Sequence, residues 1–270
     1  MTNYHTHTFR CRHAEGDVAD YVRMARIAGL SELGFSDHVP FPDGLWPESR
    51  MDFSEISAYM ESISEAATAE QLRGADAIRI LTAFECELRP GMEEYLRDLA
   101  AERNLDYLVG AVHWISSGGE WLPATHLTRP RELCIFSEAT VRTIRSGLFA
   151  FIAHPDIYCA RWREWDADAR ACAVDILEAA AETRTPLEIN GYGLRKPLVH
   201  SADGHRPQYP YLRFWELAAD YGIEVMINSD AHRPVDVAAS LREARSIAAA
   251  CGLRVREQLD PVTMRSHSRP

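Results

Sequence analysis

Short apolar runs alternate with longer amphipathic stretches along this chain, and the alternation repeats seven times. The runs cover residues 3–5, 33–36, 78–86, 107–112, 148–153, 187–189 and 224–228. Between and after them the apolar positions switch to helical spacing, which predicts helices over 16–28, 54–72, 92–101, 131–146, 168–182, 211–221 and 235–251. Val18, Tyr21, Val22 and Ala25 mark the first helical stripe, with Gly29 as its stop. Ile56, Tyr59, Met60 and Ile63 mark the second. A last short strand is predicted at 253–255 and a frayed tail at 261–270. Run followed by amphipathic stretch is the pattern of βα units feeding a parallel sheet. Seven units can close into a barrel or form an open doubly wound sheet. No Gly-x-Gly-x-x-Gly turn follows the first run, so the main sign of a dinucleotide fold is missing. No linker interrupts the series, and residues 1–260 read as one domain.

Each run ends on a residue that can bind metal. The first carries His5 and His7, with His13 a little further on. The second ends at Asp37-His38, the third at Glu85 with Glu87 beyond, and the fourth at His113. The fifth ends at His154-Pro155-Asp156, the sixth at Glu188 and Asn190, and the seventh at Asp230 and His232. In parallel α/β folds the C-terminal ends of the strands are where sites are built. Histidines with purely structural roles would fall on helices and strand starts as often. Only His126, His200, His205 and His267 lie elsewhere, in loops or the tail. The pattern therefore predicts a site for several metal ions, with Asp37 orienting a ligand imidazole.

Bulk properties narrow the partners. A formal charge of −11 argues against gripping nucleic acid through its backbone. The six cysteines (Cys11, Cys86, Cys134, Cys159, Cys172 and Cys251) form no Cys-x-x-Cys pair and read as free thiols in a reducing compartment. There is no apolar run long enough to span a membrane and no signal-like start, so a cytoplasmic protein is expected. With 46% apolar residues the chain can bury a sizeable core.

In order, His5-Thr6-His7, Ser36-Asp37-His38, Glu85, Gly110-Ala111-Val112-His113, His154-Pro155-Asp156 and Ser229-Asp230-Ala231-His232 resemble the motifs of the PHP (polymerase and histidinol phosphatase) superfamily. Within it, Leu187 to Asn190, Gly193 to Pro197, Cys11 to Gly16 and Ser229 to Pro234 look like the monofunctional histidinol-phosphate phosphatases. The resemblance implies a distorted, TIM-like (β/α)7 barrel with three divalent metal ions at the C-terminal ends of the strands. By position it assigns His5, His7, Glu85 and Asp230 to one ion. Glu85, His113 and His154 would hold a second, and His13, His38 and His232 a third. The chain departs from the family at Asn190-Gly191-Tyr192, in the long 198–208 loop, and in the Trp- and Arg-rich stretch 158–165. Those loops bear on the substrate more than on the chemistry.

The residue types suit phosphate-ester hydrolysis. Three divalent cations less the charges of Glu85 and Asp230 leave a cationic site in an acidic protein. A water bridging metal ions can ionise near neutral pH and attack phosphorus as hydroxide. Arg195 is the first candidate for a phosphate clamp, with Lys196 and Arg161 next. Asp230 or His232 would protonate the leaving oxygen. Asp156 and Glu188 would hold a substrate ammonium, and Tyr192, Trp162 or Phe41 would cover an imidazole. Zn, Mn, Fe or Co each suit the ligand types. The leading expectation is hydrolysis of L-histidinol phosphate to L-histidinol and inorganic phosphate. The alternatives are a phosphoesterase for nucleotides or another small phosphate ester, or a metal-binding protein without turnover. No Gly-x-Ser-x-Gly elbow or Gly-x-x-x-x-Gly-Lys loop supports other chemistries.

Overall fold

A computed structural model describes residues 1–259. The tail expected at 261–270 lies outside them. One eight-stranded sheet runs through the molecule, and every neighbouring pair in it is parallel. Its strands in spatial order are β1 (Thr2–Asn3), β2 (Glu32–Phe35), β3 (Arg79–Glu87), β4 (Tyr107–Ala111), β7 (Phe151–Ile152), β8 (Leu187–Asn190), β11 (Glu224–Asn228) and β12 (Arg254–Val255). The sheet curls until the continuation of β1 meets that of β11. There Thr6 bridges Ala231, with His7 N donating to Ala231 O at 2.9 Å and Ala231 N to His5 O at 3.3 Å. The seven expected runs are the first seven strands of this TIM-like α/β sheet, and β12 is the short strand expected at its end.

Helices α1 (Val18–Ala28), α2 (Ile56–Gln71), α3 (Glu93–Glu102), α4 (Pro130–Arg145), α5 (Ala167–Thr183), α7 (Leu212–Ala218) and α8 (Leu241–Ala250) follow the strands in turn. A five-residue helix, α6 (Gly191–Arg195), follows β8 directly. Asp17 caps α1, and Gly29, at φ 71°, ends it in the left-handed conformation that glycine adopts cheaply. The last helix is shorter than the periodicity predicts: 234–236 form a separate turn, and Ser240 at φ 60° breaks the chain before α8. Two antiparallel hairpins, β5–β6 (Trp114–Ser117 and Glu120–Pro123) and β9–β10 (Val199–Ser201 and Gly204–Arg206), lie outside the main sheet and are not foreseen by the hydrophobic pattern. No described helix is long and apolar enough to cross a membrane.

Strand alternation divides the core in two. Tyr4, Leu81, Ala83, Tyr107, Val109, Ala111, Phe151, Ala153 and Met226 fill the inside of the curled sheet. Outward-facing positions such as Leu108 and Ile152 join the larger layer under the helices. The interior is bulky low down. Tyr107 donates to Tyr4 O at 2.6 Å, and a Cβ on Gly34 would collide with the Tyr107 hydroxyl. On β3 and β4 the inward residues shrink to Ala83 and Ala111, and two positions later come Glu85 and His113. The taper leaves room for imidazoles at the C-terminal end of the sheet.

Candidate metal centre

The strand ends converge on Glu85. His5 Nε2 lies 3.4 Å from its Oε1 and His7 Nε2 3.5 Å from its Oε2. His154 Nε2 and His113 Nε2 lie 3.0 Å and 3.3 Å from Oε1, and His38 Nδ1 3.0 Å from Oε2. Asp230 Oδ1 faces His7 Nε2 at 3.3 Å and His5 Nε2 at 3.6 Å. His232 and His13 meet through their Nε2 atoms at 3.0 Å. His154 (φ 30°) and Asp230 (φ 49°) sit in the left-handed region, which costs a non-glycine residue energy and is concentrated at functional sites.

Five of these atoms, His5 Nε2, His7 Nε2, His38 Nδ1, Glu85 Oε2 and Asp230 Oδ1, are buried and have no hydrogen-bond partner. Buried polar atoms are rarely left so, because the desolvation is uncompensated. All but His38 Nδ1 belong to the residues expected to share one ion, and neutral nitrogens beside anionic oxygens are the donors a divalent transition metal takes. The residues present fit a metal. Donor atoms of His5, His7 and Asp230 lie within 4.8 Å of one another, as do those of His38, Glu85 and His113.

The field agrees with that fit. Burial would hold His5 neutral, but the carboxylates of Asp230, Glu188 and Glu85 outweigh it and raise its pKa well above the ordinary value. Burial likewise opposes charge on His113, while Glu85 and Glu87 push it up to about 10. Against their own burial, Glu85 and Asp230 are held well below the carboxylate range by the imidazoles around them. These groups create a strongly negative pocket for positive charge. His38, down to about 3, and His232 are pushed by burial towards the neutral form that a ligand needs.

Carboxylates behind the donors fix their orientation. Glu188 Oε1 accepts from His5 Nδ1 and Asn228 Nδ2, both at 2.9 Å. Its Oε2 accepts from His154 N at 3.1 Å and Asn190 Nδ2 at 2.7 Å. With those acceptors occupied, Glu188 is not free to hold a substrate ammonium as expected; it orients His5. Glu87 takes the Nδ1 of His113 and is itself clamped by Arg50. Sequence reading missed Arg50, although the i, i+2 spacing of Glu85 and Glu87 signals that both share one strand face. Asp37 lies 3.9 Å from His7 Nδ1 and accepts from Thr8 N and Thr8 Oγ1 at 2.8 and 2.6 Å.

Two further expectations need correction. Arg195 donates to backbone carbonyls, to Ser229 O at 2.9 Å and to Asp230 O and Ala239 O at 3.3 Å. It braces the loop that carries Asp230 and does not hold a free clamp over the site. Asp156 is wholly buried, and its Oδ2 is taken by Tyr211 N and Trp215 Nε1. Burial pushes its carboxyl up to about 7, so it anchors α7 and does not face a substrate. His38 Nδ1 lies 3.0 Å from Glu85 Oε2, yet a donor atom of His38 also lies within 4.8 Å of donors on His7 and His232, and its ring is 5.4 Å from that of His13.

Of the remaining candidates, Arg161 is exposed, and Trp162 Nε1 donates to Asp166 Oδ1. Phe41 is buried beneath Arg50 and Arg89. Lys196 is placed differently. Its Nζ lies 4.0 Å from the centre of the Tyr192 ring, which stacks on His232 at 4.6 Å. Tyr209, unforeseen, closes the other side, 6.0 Å from the His154 ring.

A sequence model described as the PHP domain matches residues 3–191. A protein of Deinococcus radiodurans named "Probable histidinol-phosphatase" is 28% identical over 92% of this chain and 94% of its own length. One of the same name from Schizosaccharomyces pombe is 28% identical over 92% of this chain and 86% of its own length. The histidinol phosphate phosphatase of Lactococcus lactis, solved with zinc, L-histidinol and phosphate, superposes with a TM-score of 0.74 at 17% identity. That match covers 96% of this chain and 97% of the other, and the likeness is one of fold.

Proposed function

The chain belongs to the PHP domain family, and from that premise we propose that it is a metal-dependent phosphomonoesterase that hydrolyses L-histidinol phosphate to L-histidinol and inorganic phosphate. The observation that carries the reading is the set of buried, unpartnered donor atoms on His5, His7, Glu85 and Asp230, ringed by further imidazoles. The choice of substrate rests on relatives named histidinol-phosphatases that match nearly the whole chain.

In this reading His5, His7, Glu85 and Asp230 would hold one ion, Glu85, His113 and His154 a second, and His13, His38 and His232 a third. Bound divalent ions supply positive charge for the phosphate and lower the pKa of their bound water from ~15.7 to about 7. The protein does the rest. Glu188 and Glu87 hold the Nδ1 protons of His5 and His113, which leaves each Nε2 lone pair directed into the site. Asn190 Nδ2 holds Asp230 Oδ2 at 3.0 Å, so that Oδ1 stays turned inward. Arg195 keeps the Asp230 loop in its strained conformation. Lys196, half-buried over Tyr192, is the cation free to meet a phosphate oxygen and to stabilise or protonate the leaving oxygen; burial lowers its pKa.

A small phosphate ester suits an acidic chain of charge −11 better than a nucleic acid does. The reading treats residues 1–260 as one domain, supported by a single sheet that takes strands from Thr2 to Val255. It also places the reaction in the cytoplasm, where the free cysteines would remain reduced. The test is a phosphate-release screen of the metal-loaded protein against histidinol phosphate, nucleotides, sugar phosphates and phosphotyrosine. Histidinol phosphate is expected to give the highest kcat/KM. If it is hydrolysed no faster than phosphotyrosine, the substrate assignment fails; if no ester is hydrolysed, the enzyme assignment fails too.

A further inference from the structure

Six of the seven buried tyrosines bond their hydroxyls to the protein. Tyr209 is the seventh. It is 2% exposed, and its hydroxyl has no partner among the described residues. A buried tyrosine ordinarily finds one, because an unpaired hydroxyl keeps its full desolvation cost.

The packing of Tyr209 puts it at the metal centre. Its ring lies 6.0 Å from that of His154, at 66° to it. It also packs on Gly193 of α6, where a Cβ would meet Tyr209 O at 2.1 Å and ring Cδ2 at 2.4 Å. Only a glycine lets the two segments come so close. The same short helix carries Tyr192, whose face holds Lys196. Burial first, and then Asp230, Tyr192, Asp156 and Glu85, push the Tyr209 pKa well above the ordinary phenol value, so it stays an O–H donor. Asp230 and Glu85 are expected metal donors, and the hydroxyl stands among such groups without bonding to any of them.

We infer that the Tyr209 hydroxyl donates a hydrogen bond to an oxygen of the phosphate group held at the metal centre. A neutral O–H competes poorly for a metal ion with imidazoles and carboxylates, and the anionic oxygens of a phosphate are strong acceptors for it. Tyr209 and Lys196 then meet the phosphate from neighbouring positions, one as a neutral donor and one as a cation. Gly193, by admitting Tyr209, brings the hydroxyl into the centre. The inference rests on the metal-dependent phosphoesterase reading of the site.

The experiment compares wild type and Tyr209→Phe, both loaded with metal, for binding of inorganic phosphate by calorimetry. Phenylalanine keeps the ring against Gly193 and His154 and removes one oxygen that has no protein partner. Metal content, and Tm without phosphate, are expected to match wild type. The phosphate Kd is expected to rise by at least ~10-fold, the effect of losing a hydrogen bond to a charged acceptor. Equal phosphate affinity at equal metal content overturns the inference. A variant that loses metal or fails to fold overturns it too, since the hydroxyl would then serve the protein itself. Wild type that binds phosphate but hydrolyses no histidinol phosphate ends the proposed substrate and leaves the contact standing. Wild type that binds metal and no phosphate overturns both.

Discussion

Glu87 accepts the Nδ1 proton of His113 at 2.8 Å while both of its oxygens are held by Arg50 at 3.1 Å. Burial would push this carboxyl up, but Arg50 and His113 pull it well below the carboxylate range. Arg50 is itself buried, packed over Phe41 and Trp46 and donating to Val39 O at 2.8 Å. The chain Arg50–Glu87–His113 therefore decides which nitrogen of His113 faces Glu85 and His154. Glu87→Gln and Arg50→Met should weaken one metal ion by about 10–100-fold and leave the others in place. Arg50→Lys should recover little, since an ammonium cannot span both oxygens. Metal content after dialysis against a graded chelator reads this directly, and full retention in Glu87→Gln would end the argument.

The unpartnered donors at the centre tie metal to folding. Without a cation, His5 Nε2, His7 Nε2, Glu85 Oε2 and Asp230 Oδ1 are buried at full desolvation cost. One ion present at a hundred times its Kd adds about 2.7 kcal/mol of stability. Removing it should lower Tm by on the order of 5–10 °C for a chain of this size. Readdition of Zn, Mn or Co should restore the transition. An unchanged Tm after verified removal would mean that those atoms find other partners.

What could be read from the chain divides along physical lines. Strand periodicity and the rule that parallel sheets build sites at their C-terminal ends were enough to bring His5, His7, Glu85, His113, His154 and Asp230 together. Glu188 was found but misjudged, because its four acceptor contacts come from side chains and backbone just after β1, on β8 and β11, and in the loop after β7. Arg195 looks like a free cation in sequence; its carbonyl partners are 34 to 44 residues away. The strands of the two hairpins are only three or four residues long, so neither repeats long enough to show a period of two.

Glu132 gives a pH test away from the site. It is buried at the start of α4 and accepts from Thr128 N at 2.8 Å and Arg129 N at 3.0 Å. Burial alone would raise its pKa; those N–H groups and the Arg129 guanidinium outweigh it and lower it. A lowered folded pKa means that the stabilisation is present above the unfolded value of about 4.3 and fades as pH falls through the folded one. Glu132→Gln should cost ~1 kcal/mol at pH 7, and the gap to wild type should narrow as pH falls below the unfolded value of about 4.3. Urea midpoints across pH 3–8 measure it, and a gap that widens on acidification would refute the capping account.

Adjacent cations on α6 and just after it should separate cleanly. Arg195 spends its donors on Ser229, Asp230 and Ala239 carbonyls, so Arg195→Met leaves those oxygens short and frees the strained Asp230 loop. Loss of charged hydrogen bonds of this kind costs about 1.5–3 kcal/mol, so Tm should drop and kcat with it, while inhibition by inorganic phosphate changes little. Lys196 touches only the Tyr192 face among its described contacts, a cation–π contact worth about 0.5–1 kcal/mol when partly exposed. Lys196→Met should therefore hold Tm within a few degrees yet weaken phosphate inhibition by ~10-fold, the factor for ~1.4 kcal/mol of lost anion binding. Thermal melts and phosphate inhibition constants on the two variants suffice. The opposite pattern, with Arg195→Met stable but blind to phosphate, would return the clamp to Arg195 and leave Lys196 as a loop cation.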